Sequence, residues 1–455
     1  MTVDIKAYYL NTSLLRPEYV RIPLRFIPPS TISTHSLTPY IHNNSILMEI
    51  TKGMYGLPQA GLLAQQRLVK HLATHGYHET ATPCLFRHTS NGITFALVVD
   101  DFGIKYTSEA SVSHFLHTLR SLYEIKIDRL GTTYVGFTIA FDRPKRTVSL
   151  SMPGYISKVL QRFNISPTNS ASTPAVYMPP SYGNPSQKPP SDATAPLSPT
   201  AVKTLQEQVG CLLYYARSVD PTILPAVTTI SSLQSRPTVT VAAARTRLLY
   251  YCAQYPNNNL VFHDCDMRLV IESDASYLSR PNARSVAGGV FYLLNSDSSR
   301  TTNGPCHSIS CLIPVVVASV AETECAALFI AGREGAMLRQ ILQSLGYPQS
   351  VTAIDCYNAC AVGIATDTVT PKRTKSIDMQ FHWIQDRVRQ HFFTVQWRKG
   401  SDNLADFFTK PLPVHAHRTL MTSLVYTPPS LYPSTAHASR RLQYLNDRSS
   451  LFDSD

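Results

Sequence analysis

Residues 94–106 read TFALVVDDFGIKY, in which two adjacent acids, Asp100 and Asp101, lie between two apolar runs. The apolar runs predict two strands, which would place the acids at the tip of a hairpin. Adjacent carboxylates repel each other, and a bound divalent cation is one way to compensate that repulsion. A solvated turn is the alternative interpretation, because Asp is common in turns.

Two segments before this hairpin favour the cation site over the solvated turn. Asp4 lies in VDIKAYYLNTSLL (residues 3–15), and KGMYGLPQAGLLAQQRL (52–68) is a glycine-rich turn followed by helical apolar spacing from Gln59 to His75. In this order the three segments resemble the reverse transcriptases of copia-type retrotransposons. SMPGYISKVLQRFNI (151–165) resembles the segment that follows the palm in that family.

The resemblance implies an RNA-directed DNA polymerase that uses Mg²⁺ or Mn²⁺ on a template–primer. It implies that the metal ligands are Asp4, Asp100 and Asp101. The bulky ring that excludes a ribose 2′-hydroxyl would be Tyr9, for which core packing is the alternative. Gln59 and Gly61 would lie against the incoming nucleotide or the template.

The printed sequence begins close to the first palm motif, whereas in the family a fingers region precedes that motif and grips the triphosphate. We therefore expect polymerisation to be weak or absent from an N-terminally truncated chain, unless a second, longer polymerase chain supplies the missing region.

A second set of acids occurs in the C-terminal half. Asp274 ends a predicted strand in ESDASYLS, Glu322 and Glu324 begin a predicted long helix in SVAETECAAL, and Asp406 lies in GSDNLADFFTK near a last helix. Taken singly, acids at strand ends and helix starts are usually exposed or stabilise the helix dipole.

Together these acids resemble those of the ribonuclease H domain that follows the polymerase in the same elements. The matching segments occur in the family's order over nearly all of 268–413 and read SDASYLSRPNARSVAGGVFYL, VAETECAALFIAGREG, CYNACAVGIA, KRTKSIDMQFHWIQDRVRQ and WRKGSDNLADFFTKPLP. The family hydrolyses the RNA strand of an RNA–DNA hybrid with four carboxylates and two metals. The resemblance places three of them at Asp274, Glu324 and Asp406, since Glu322 cannot face the same way as Glu324.

The fourth position departs from the family. An acid normally precedes the Asn of CYNACAVGIA, and here that residue is Tyr357, a poor magnesium ligand at neutral pH. Asp355 lies two residues back on the same predicted strand face and is the substitute that the sequence offers. We expect hydrolysis to be impaired.

Several further polar residues have open roles. His382 is expected to be a buried structural residue, and Asp402 either faces the acids or caps the last helix. The following basic residues either contact phosphates or form a solvated surface: Lys372, Arg373, Lys375, Arg387, Arg389, Arg398 and Lys399.

The composition suits a multidomain protein of α/β and α+β class. The chain has 455 residues, 44% hydrophobic residues and a formal net charge of +11. That charge favours polyanionic partners, of which nucleic acid is the commonest, but a basic protein without such a partner fits the charge equally well. The predicted domains are a partial palm (1–152), the start of a thumb or connection (153–165), a Pro/Ser-rich linker (166–200), a helical connection (201–266), a ribonuclease H-like domain (267–413) and a disordered tail (414–455).

Nine scattered cysteines without a zinc spacing indicate a reduced intracellular protein, in the cytoplasm or the nucleus, and no apolar run reaches membrane-spanning length. Three hypotheses remain. The first is a reverse transcriptase with ribonuclease H, and the second is a catalytically inactive relic that binds RNA–DNA hybrid. The third is an unused gene fragment with no stable product.

Overall fold

The structure, a computed structural model, describes residues 1–167, 169–179, 192–295, 303–369, 378–400 and 403–428. The chain divides into two compact units. The first comprises Met1–Ile139 with Gln340–Pro348, and the second comprises Ala140–Arg339 with Gln349–Asp455.

The first unit contains eleven short strands or parts of strands. They are β1 (Thr2–Ile5), β2 (Ser13–Pro23), β3 (Ile41–His42), β4 (Ser45–Lys52), β5 (Tyr77–Glu79), β6 (Leu85–His88), β7 (Thr94–Val98), β8 (Asp101–Lys105), β9 (Ile125–Asp128), β10 (Thr133–Tyr134) and β11 (Phe137–Asp142), which runs past the unit's end. Its helices are α1 (Pro29–Thr34), α2 (Pro58–Thr74) and α3 (Glu109–Arg120). The main sheet has the order β5-β6-β7-β8-β1-β9, and a smaller sheet has the order β2-β4-β3.

The predicted helix after the glycine-rich turn is confirmed as α2. Its buried residues repeat every four positions, at Ala60, Ala64, Leu68 and Leu72, which gives one apolar stripe. Leu62, which the apolar spacing had included, is instead 59% exposed because it lies off this stripe. The stripe joins α3 and the strands of the main sheet in one core, so the sheet that carries the palm acids is held by packing on both helices.

The second unit combines helices with a five-stranded sheet. Its strands are β12 (Thr147–Ser151), β13 (Leu260–His263), β14 (Arg268–Arg280), β15 (Arg284–Leu294), β16 (His307–Leu312), β17 (Thr352–Cys356) and β18 (Phe393–Trp397). Its helices are α4 (Tyr155–Arg162), α5 (Pro199–Ser218), α6 (Leu224–Leu233), α7 (Val239–Gln254), α8 (Val320–Ser344), α9 (Ala359–Ala365), α10 (Asp378–Arg389) and α11 (Val414–Leu424).

The five-stranded sheet has the order β16-β15-β14-β17-β18. β16, β15 and β14 are antiparallel to one another, whereas β14, β17 and β18 run parallel. The parallel strands need crossover helices, which the chain supplies between β16 and β18. This mixed sheet with its helices confirms the α/β class that the alternation of strand and helix patterns predicts.

The expectation of a disordered tail from residue 414 is wrong for the first part of that segment. Residues Val414–Leu424 form α11, in which His417, Met421 and Leu424 are buried on one face. The spacing of four and three residues is that of a helical stripe, which the polar composition of the whole segment concealed. Residues 429–455 lie outside the described part of the chain.

Part of the expected linker also packs. Thr173 is buried, and the Arg247 guanidinium donates to its carbonyl oxygen at 3.1 Å and to its hydroxyl oxygen at 2.9 Å. Residues 180–191 of the same segment lie outside the described residues.

A buried carboxyl group stands at the end of α5. Asp220 is 1% exposed and accepts hydrogen bonds from the Thr222 amide at 3.2 Å, from the Thr222 hydroxyl, and from Asn258 Nδ2 at 2.9 Å. Burial raises the pKa of Asp220 to about 6, although these hydrogen bonds lower it in part. Tyr251 and Cys252 face the same group, and burial raises the pKa of each, so both stay neutral in mildly acidic solution.

We expect this carboxyl to make the protein less stable as the pH rises from 4 to 6. The folded state holds the Asp220 proton up to a pH of about 6, whereas the unfolded chain releases it near 4, so stability falls across this window and is level above it. Two pKa units correspond to roughly 3 kcal/mol. Urea unfolding of the wild type and of Asp220→Asn at pH 4 and pH 6 measures how the free energy of unfolding changes with pH. The same change between the two pH values in both proteins would contradict the assignment to Asp220.

Candidate functional site

The palm acids converge at one end of the main sheet. β1 and β8 are antiparallel, and their register places Asp4 opposite Asp101. The Ile5 amide donates to the Asp100 carbonyl oxygen at 3.1 Å, which ties the hairpin tip to the end of β1. Asp4 is far in sequence from the adjacent pair Asp100 and Asp101, and the strand pairing brings it next to them.

The electrostatics of the three acids reflect this proximity. Burial raises the pKa of Asp100, and the negative charge of Asp4 raises it further, while its own backbone amide lowers it in part. Burial also raises the pKa of Asp101, with added contributions from Asp100 and Asp4. A cation bound among the acids would offset both the burial and the repulsion that raise these pKa values.

The turn that presents the acids has an unusual backbone. Val99, between β7 and β8, has a φ of 58°, in the left-handed region that β-branched residues rarely adopt. Such a conformation persists only where the surrounding structure holds it. Here the two strands on either side, Thr94–Val98 and Asp101–Lys105, are fixed by their pairing.

Tyr9 lies against the glycine-rich turn. Its ring meets the Tyr55 ring edge-on with centroids 4.8 Å apart, and a Cβ at Gly61 would lie 3.7 Å from the Tyr9 hydroxyl. A Cβ at Gly53 would come within 2.7 Å of the Tyr9 carbonyl oxygen, so only glycine allows this approach. Tyr55 is 61% exposed, and slight burial, Asp100, Tyr9 and Asp4 raise its pKa. Tyr9 and Tyr55 thus flank the acids.

Gln59 has a protein partner. Its Nε2 atom donates to Glu18 Oε1 at 2.9 Å, which links α2 to β2. The Gln59 side chain is therefore bound to Glu18, although Gln59 belongs to the same motif as Gly61.

The second set of acids comes from three separate elements. Asp274 lies on β14, Glu324 lies in the first turns of α8, and Asp406 lies in a short 3-10 helix, Ala405–Phe408. Gly288 faces Asp274 across the β14–β15 pairing, and a Cβ there would come within 2.8 Å of the Ala405 carbonyl oxygen. The absence of a side chain at this position lets the turn that carries Asp406 approach Asp274.

Hydrogen bonds fix these carboxylates. Asn403 Nδ2 donates to Asp274 Oδ1 at 2.9 Å, and the Thr409 hydroxyl donates to Asp274 Oδ2 at 2.8 Å. Lys410 Nζ lies 2.6 Å from Asp406 Oδ1. Glu324 Oε2 is buried and has no hydrogen-bond partner among the residues that the structure describes.

The three acids affect one another electrostatically. Burial, and then the negative charge of Asp274, raise the pKa of Glu324 to about 8. Burial and Asp406 raise the pKa of Asp274. The pKa of Lys410 is raised: burial lowers it, but the bond to Asp406 and the charges of Asp406, Asp274 and Glu324 outweigh burial. Lys410 is thus the resident cation of the cluster.

Glu322 serves the helix instead of the cluster. Its Oε2 accepts a hydrogen bond from the Ala318 amide at 2.8 Å, just before α8 begins. Glu324 lies close enough to Asp274 for the charge of Asp274 to raise its pKa.

Tyr357, which stands where the resembled family has an acid, makes a specific contact. The Tyr357 hydroxyl donates to Glu272 Oε2 at 3.1 Å, and the Leu404 amide donates to the same oxygen at 3.0 Å. Cys356 pairs with Ser273 in the parallel register, so Tyr357 follows β17 at the level of Asp274. Tyr357 therefore follows β17 next to the level of Asp274, and its phenol is hydrogen-bonded to the nearby acid Glu272.

Asp355, the offered substitute, is engaged elsewhere. It is fully buried, and its Oδ2 lies 3.2 Å from Arg398 Nε. In the parallel register Asp355 pairs with Glu272, two residues before Asp274.

Some of the remaining residues with open roles are described by the structure, and others are not. Among those described, Arg389 pairs with Asp367, and Arg387 lies over the Trp383 ring at 5.4 Å. The expectation of a buried His382 is wrong: the residue is exposed, and its Nδ1 lies 3.2 Å from Gln385 Oε1. The other group lies outside the described residues and comprises Lys372, Arg373, Lys375 and Asp402.

The acids suit a divalent metal by their chemistry but not by the present positions of their side chains. Carboxylate oxygens are the ligands that Mg²⁺ prefers, and the unpartnered Glu324 Oε2 is an oxygen that a cation would satisfy. Across the described residues, however, no three or more His, Cys, Asp or Glu side chains stand in positions that could hold a metal ion. The donor chemistry therefore suits a divalent ion, while the side-chain positions would have to adjust to bind it.

Sequence reasoning missed several contributors, namely Tyr55, Glu272, Asn403, Thr409 and Lys410. For Lys410 a signal existed, because it follows Asp406 by four residues, a spacing at which opposite charges meet. The others are recognisable only once the chain is folded, since their partners are distant in sequence.

Comparison with known proteins shows similarity to a reverse transcriptase family and to transposon polyproteins. Residues 2–177 match the family model "Reverse transcriptase (RNA-dependent DNA polymerase)". The chain is 25% identical over 415 residues to the "Retrovirus-related Pol polyprotein from transposon TNT 1-94" of Nicotiana tabacum, an alignment that covers 90% of this chain and 30% of that protein. It is 22% identical over 458 residues to the "Transposon TyH3 Gag-Pol polyprotein" of Saccharomyces cerevisiae, covering 93% of this chain and 23% of that protein.

The chain thus spans less than a third of the length of these curated relatives. Solved structures with a similar arrangement include a foamy viral protease-reverse transcriptase in complex with RNA/DNA hybrid, with 12% identity and a TM-score of 0.46 over 96% of this chain and 46% of that one. Another is LC11-RNase H1 in complex with RNA/DNA hybrid, with 16% identity and a TM-score of 0.25 over 31% of this chain and 93% of that one.

Proposed function

We propose that this chain, a retrotransposon Pol-like protein with a reverse transcriptase domain and a ribonuclease H-like fold, is a metal-dependent enzyme of RNA–DNA hybrids. It would extend a DNA primer on an RNA template at one set of acids and hydrolyse the RNA strand at the other. The observation that carries the proposal is the pairing of Asp4 with Asp101 across β1 and β8, with Asp100 beside them.

At the palm site the acids would hold Mg²⁺ or Mn²⁺, and the bound metal would activate the primer hydroxyl and neutralise the leaving pyrophosphate. Tyr9 and Tyr55 flank this position and would bound the space for the sugar, which gives Tyr9 its role against a 2′-hydroxyl. Gly61 lies against the Tyr9 ring and would leave room for the nucleotide or template.

At the second site Asp274, Glu324 and Asp406 would hold the metal, which supplies an activated water and stabilises the leaving oxygen. Asn403 and Thr409 orient Asp274 by hydrogen bonds to both of its oxygens. We propose that hydrolysis is impaired, because Tyr357 contributes a phenol where a carboxylate is expected and Asp355 is paired with Arg398.

Primer extension on a homopolymer RNA template, with Mg²⁺ and with EDTA, tests the polymerase part. The sequence leads us to expect weak extension by the wild type, and any metal-dependent extension that it shows should fall to the EDTA background in Asp100→Asn/Asp101→Asn, because the paired acids lose both charges. The matched control is Asp128→Asn, an acid on neighbouring β9 that caps its own turn through the Leu130 amide. Equal extension by wild type and the double variant would remove the palm acids from the proposal.

A second candidate function is hybrid binding without turnover. Two contacts favour hybrid binding without turnover. The Tyr357 hydroxyl is hydrogen-bonded to Glu272, and Lys410 forms an ion pair with Asp406, so a metal would have to compete with both. Salt-sensitive binding of an RNA–DNA hybrid, with no cleavage or extension in Mg²⁺, would select this function over the enzyme.

The cellular setting completes the proposal. We place the protein inside the cell, without a choice between cytoplasm and nucleus, and all nine cysteines are free, as in a reducing compartment. None of the helices in the described ranges combines the length and the apolar character needed to span a bilayer. Association with a longer polymerase chain would be seen as a heteromeric complex on size-exclusion chromatography.

A further inference from the structure

Glu272 lies two residues before Asp274 on β14 and is only 4% exposed. Side chains two positions apart in a strand point to the same face of the sheet, so the two carboxylates share a face. A buried carboxylate is stable where hydrogen-bond donors meet it. Donors to both acids come from residues 403–409, which include Asp406 and are called the 403–409 turn below.

Three hydrogen bonds bind the 403–409 turn to β14. The Leu404 amide donates to Glu272 Oε2 at 3.0 Å. Asn403 Nδ2 and the Thr409 hydroxyl donate to the two carboxylate oxygens of Asp274, at 2.9 and 2.8 Å. Of these three bonds, the one that Glu272 accepts reaches the backbone of the turn, whereas the other two reach side chains.

The backbone of the turn passes this anchorage on to Asp406. Leu404 immediately precedes the 3-10 helix Ala405–Phe408, and an amide at the start of a helix has no acceptor within that helix. Glu272 supplies the missing acceptor from a neighbouring strand. The Phe407 amide donates to the Leu404 carbonyl oxygen at 3.2 Å, so the short helix that carries Asp406 is built on the residue that Glu272 holds.

Asn403 links two acids of the second set. Its Nδ2 donates to Asp274 Oδ1, and its Oδ1 accepts from the Asp406 amide at 3.2 Å. The amide that Glu272 binds belongs to the peptide bond between Asn403 and Leu404. By fixing that peptide, Glu272 also orients the bridging side chain of Asn403.

We propose that Glu272 is a positioning residue of the second site, which holds the 403–409 turn against β14 and thereby sets where Asp406 stands relative to Asp274. Tyr357 braces this residue, because its hydroxyl donates to the same Glu272 oxygen at 3.1 Å. The positioning itself is independent of any activity, whereas its consequence for metal binding rests on the proposed function.

Hydrogen exchange of the full chain in EDTA tests the positioning without a metal. Glu272→Leu offers no acceptor, so peptides that cover the 403–409 turn should exchange about tenfold faster than in the wild type, as expected for the loss of one hydrogen bond. Glu272→Gln keeps an oxygen that accepts from the Leu404 amide and should exchange like the wild type. Wild-type exchange in Glu272→Leu, or equally fast exchange in both variants, would overturn the proposal.

The matched control is Thr352→Val, which removes a buried hydroxyl that accepts a hydrogen bond from Arg339. Thr352 begins β17, at the end of that strand remote from Tyr357. The control should lower the thermal midpoint and leave exchange of the 403–409 turn unchanged. The same acceleration in this control would trace the effect to general loosening of the sheet and count against Glu272.

Mn²⁺ binding connects the positioning to the proposed function. The variants are compared in an Asp100→Asn/Asp101→Asn background, so that electron paramagnetic resonance of free Mn²⁺ reports the second set of acids. Glu272→Leu should bind Mn²⁺ about tenfold more weakly than the background protein, because partners that orient a metal ligand change affinity by roughly 10- to 100-fold. Glu272→Gln should retain the affinity of the background protein.

The two measurements separate the positioning from the proposed function. Faster exchange with an unchanged Mn²⁺ affinity in Glu272→Leu would overturn the role at the metal site. Faster exchange without Mn²⁺ binding by any of the proteins would remove the metal from the proposed function and leave the positioning supported.

Should Glu272→Leu fail to fold, Glu272→Asp takes its place. It keeps the carboxyl group but shortens the side chain by one methylene, which withdraws the acceptor from the Leu404 amide. Faster exchange of the 403–409 turn in Glu272→Asp supports the positioning role, and wild-type exchange contradicts it.

Discussion

Replacing Tyr357 by Asp is expected to raise magnesium-dependent cleavage of an RNA–DNA hybrid by about 10- to 100-fold, the range over which a partner of a metal site changes activity. The new carboxylate would follow β17 at the level of Asp274, beside the acids of the second site. The same change removes the phenol that donates to Glu272 Oε2, so an additional buried carboxylate loses a hydrogen bond.

The control for this gain is Tyr357→Phe, which removes the hydroxyl without adding an acid. It should lose the bond to Glu272 and show no increase in cleavage. Tyr357→Asp should also unfold at a lower temperature in EDTA and recover in Mg²⁺, because two adjacent acids repel unless a cation lies between them. An ordinary magnesium-dependent rate in the wild type, or equal rates for the two variants, would show that the tyrosine does not limit hydrolysis.

The sequence predicts the backbone around each site because local pattern determines it. The apolar runs on both sides of Asp100 and Asp101 form β7 and β8, and the leucine spacing after the glycine-rich turn forms α2. The convergence of Asp4 with this hairpin came from the family resemblance, since no local pattern specifies which strand pairs with which. The structure supplies that pairing through the register of Asp4 with Asp101.

Side-chain partners are the part that the sequence does not predict. The motif marks Tyr357 as a departure from the family, but its bond to Glu272 depends on the parallel register of β14 and β17. Asp355 was reasonable as a substitute by its alternation with Tyr357, yet Arg398, just beyond β18, takes its carboxylate. These outcomes depend on neighbouring strands that are far apart in sequence, so a single segment carries no signal for them.

Lys410 has the next largest expected effect, on metal affinity. Its ammonium lies 2.6 Å from Asp406 Oδ1, and the charges of Asp274 and Glu324 also raise its pKa. A divalent ion at this site must therefore displace or share the position of a cation that is already present. Lys410→Met removes that competitor and leaves the three acids in place.

We expect Lys410→Met to bind Mn²⁺ about tenfold more tightly than the wild type, as measured by electron paramagnetic resonance of free Mn²⁺ or by calorimetry. Coulomb's law gives roughly 4 kcal/mol for unit charges 4 Å apart at an effective dielectric of 20, but the Lys410 side chain is 51% exposed, so solvent screening reduces the effect to about a factor of ten. In EDTA the variant should unfold at a lower temperature, because the acids have lost their counter-charge.

The matched control is Lys399→Met, which removes an exposed lysine after β18 and should change neither the Mn²⁺ affinity nor the unfolding temperature. Equal Mn²⁺ affinities for the two variants would mean that Lys410 does not compete with the metal, and no Mn²⁺ binding by any of the three proteins would instead remove the metal from the second site.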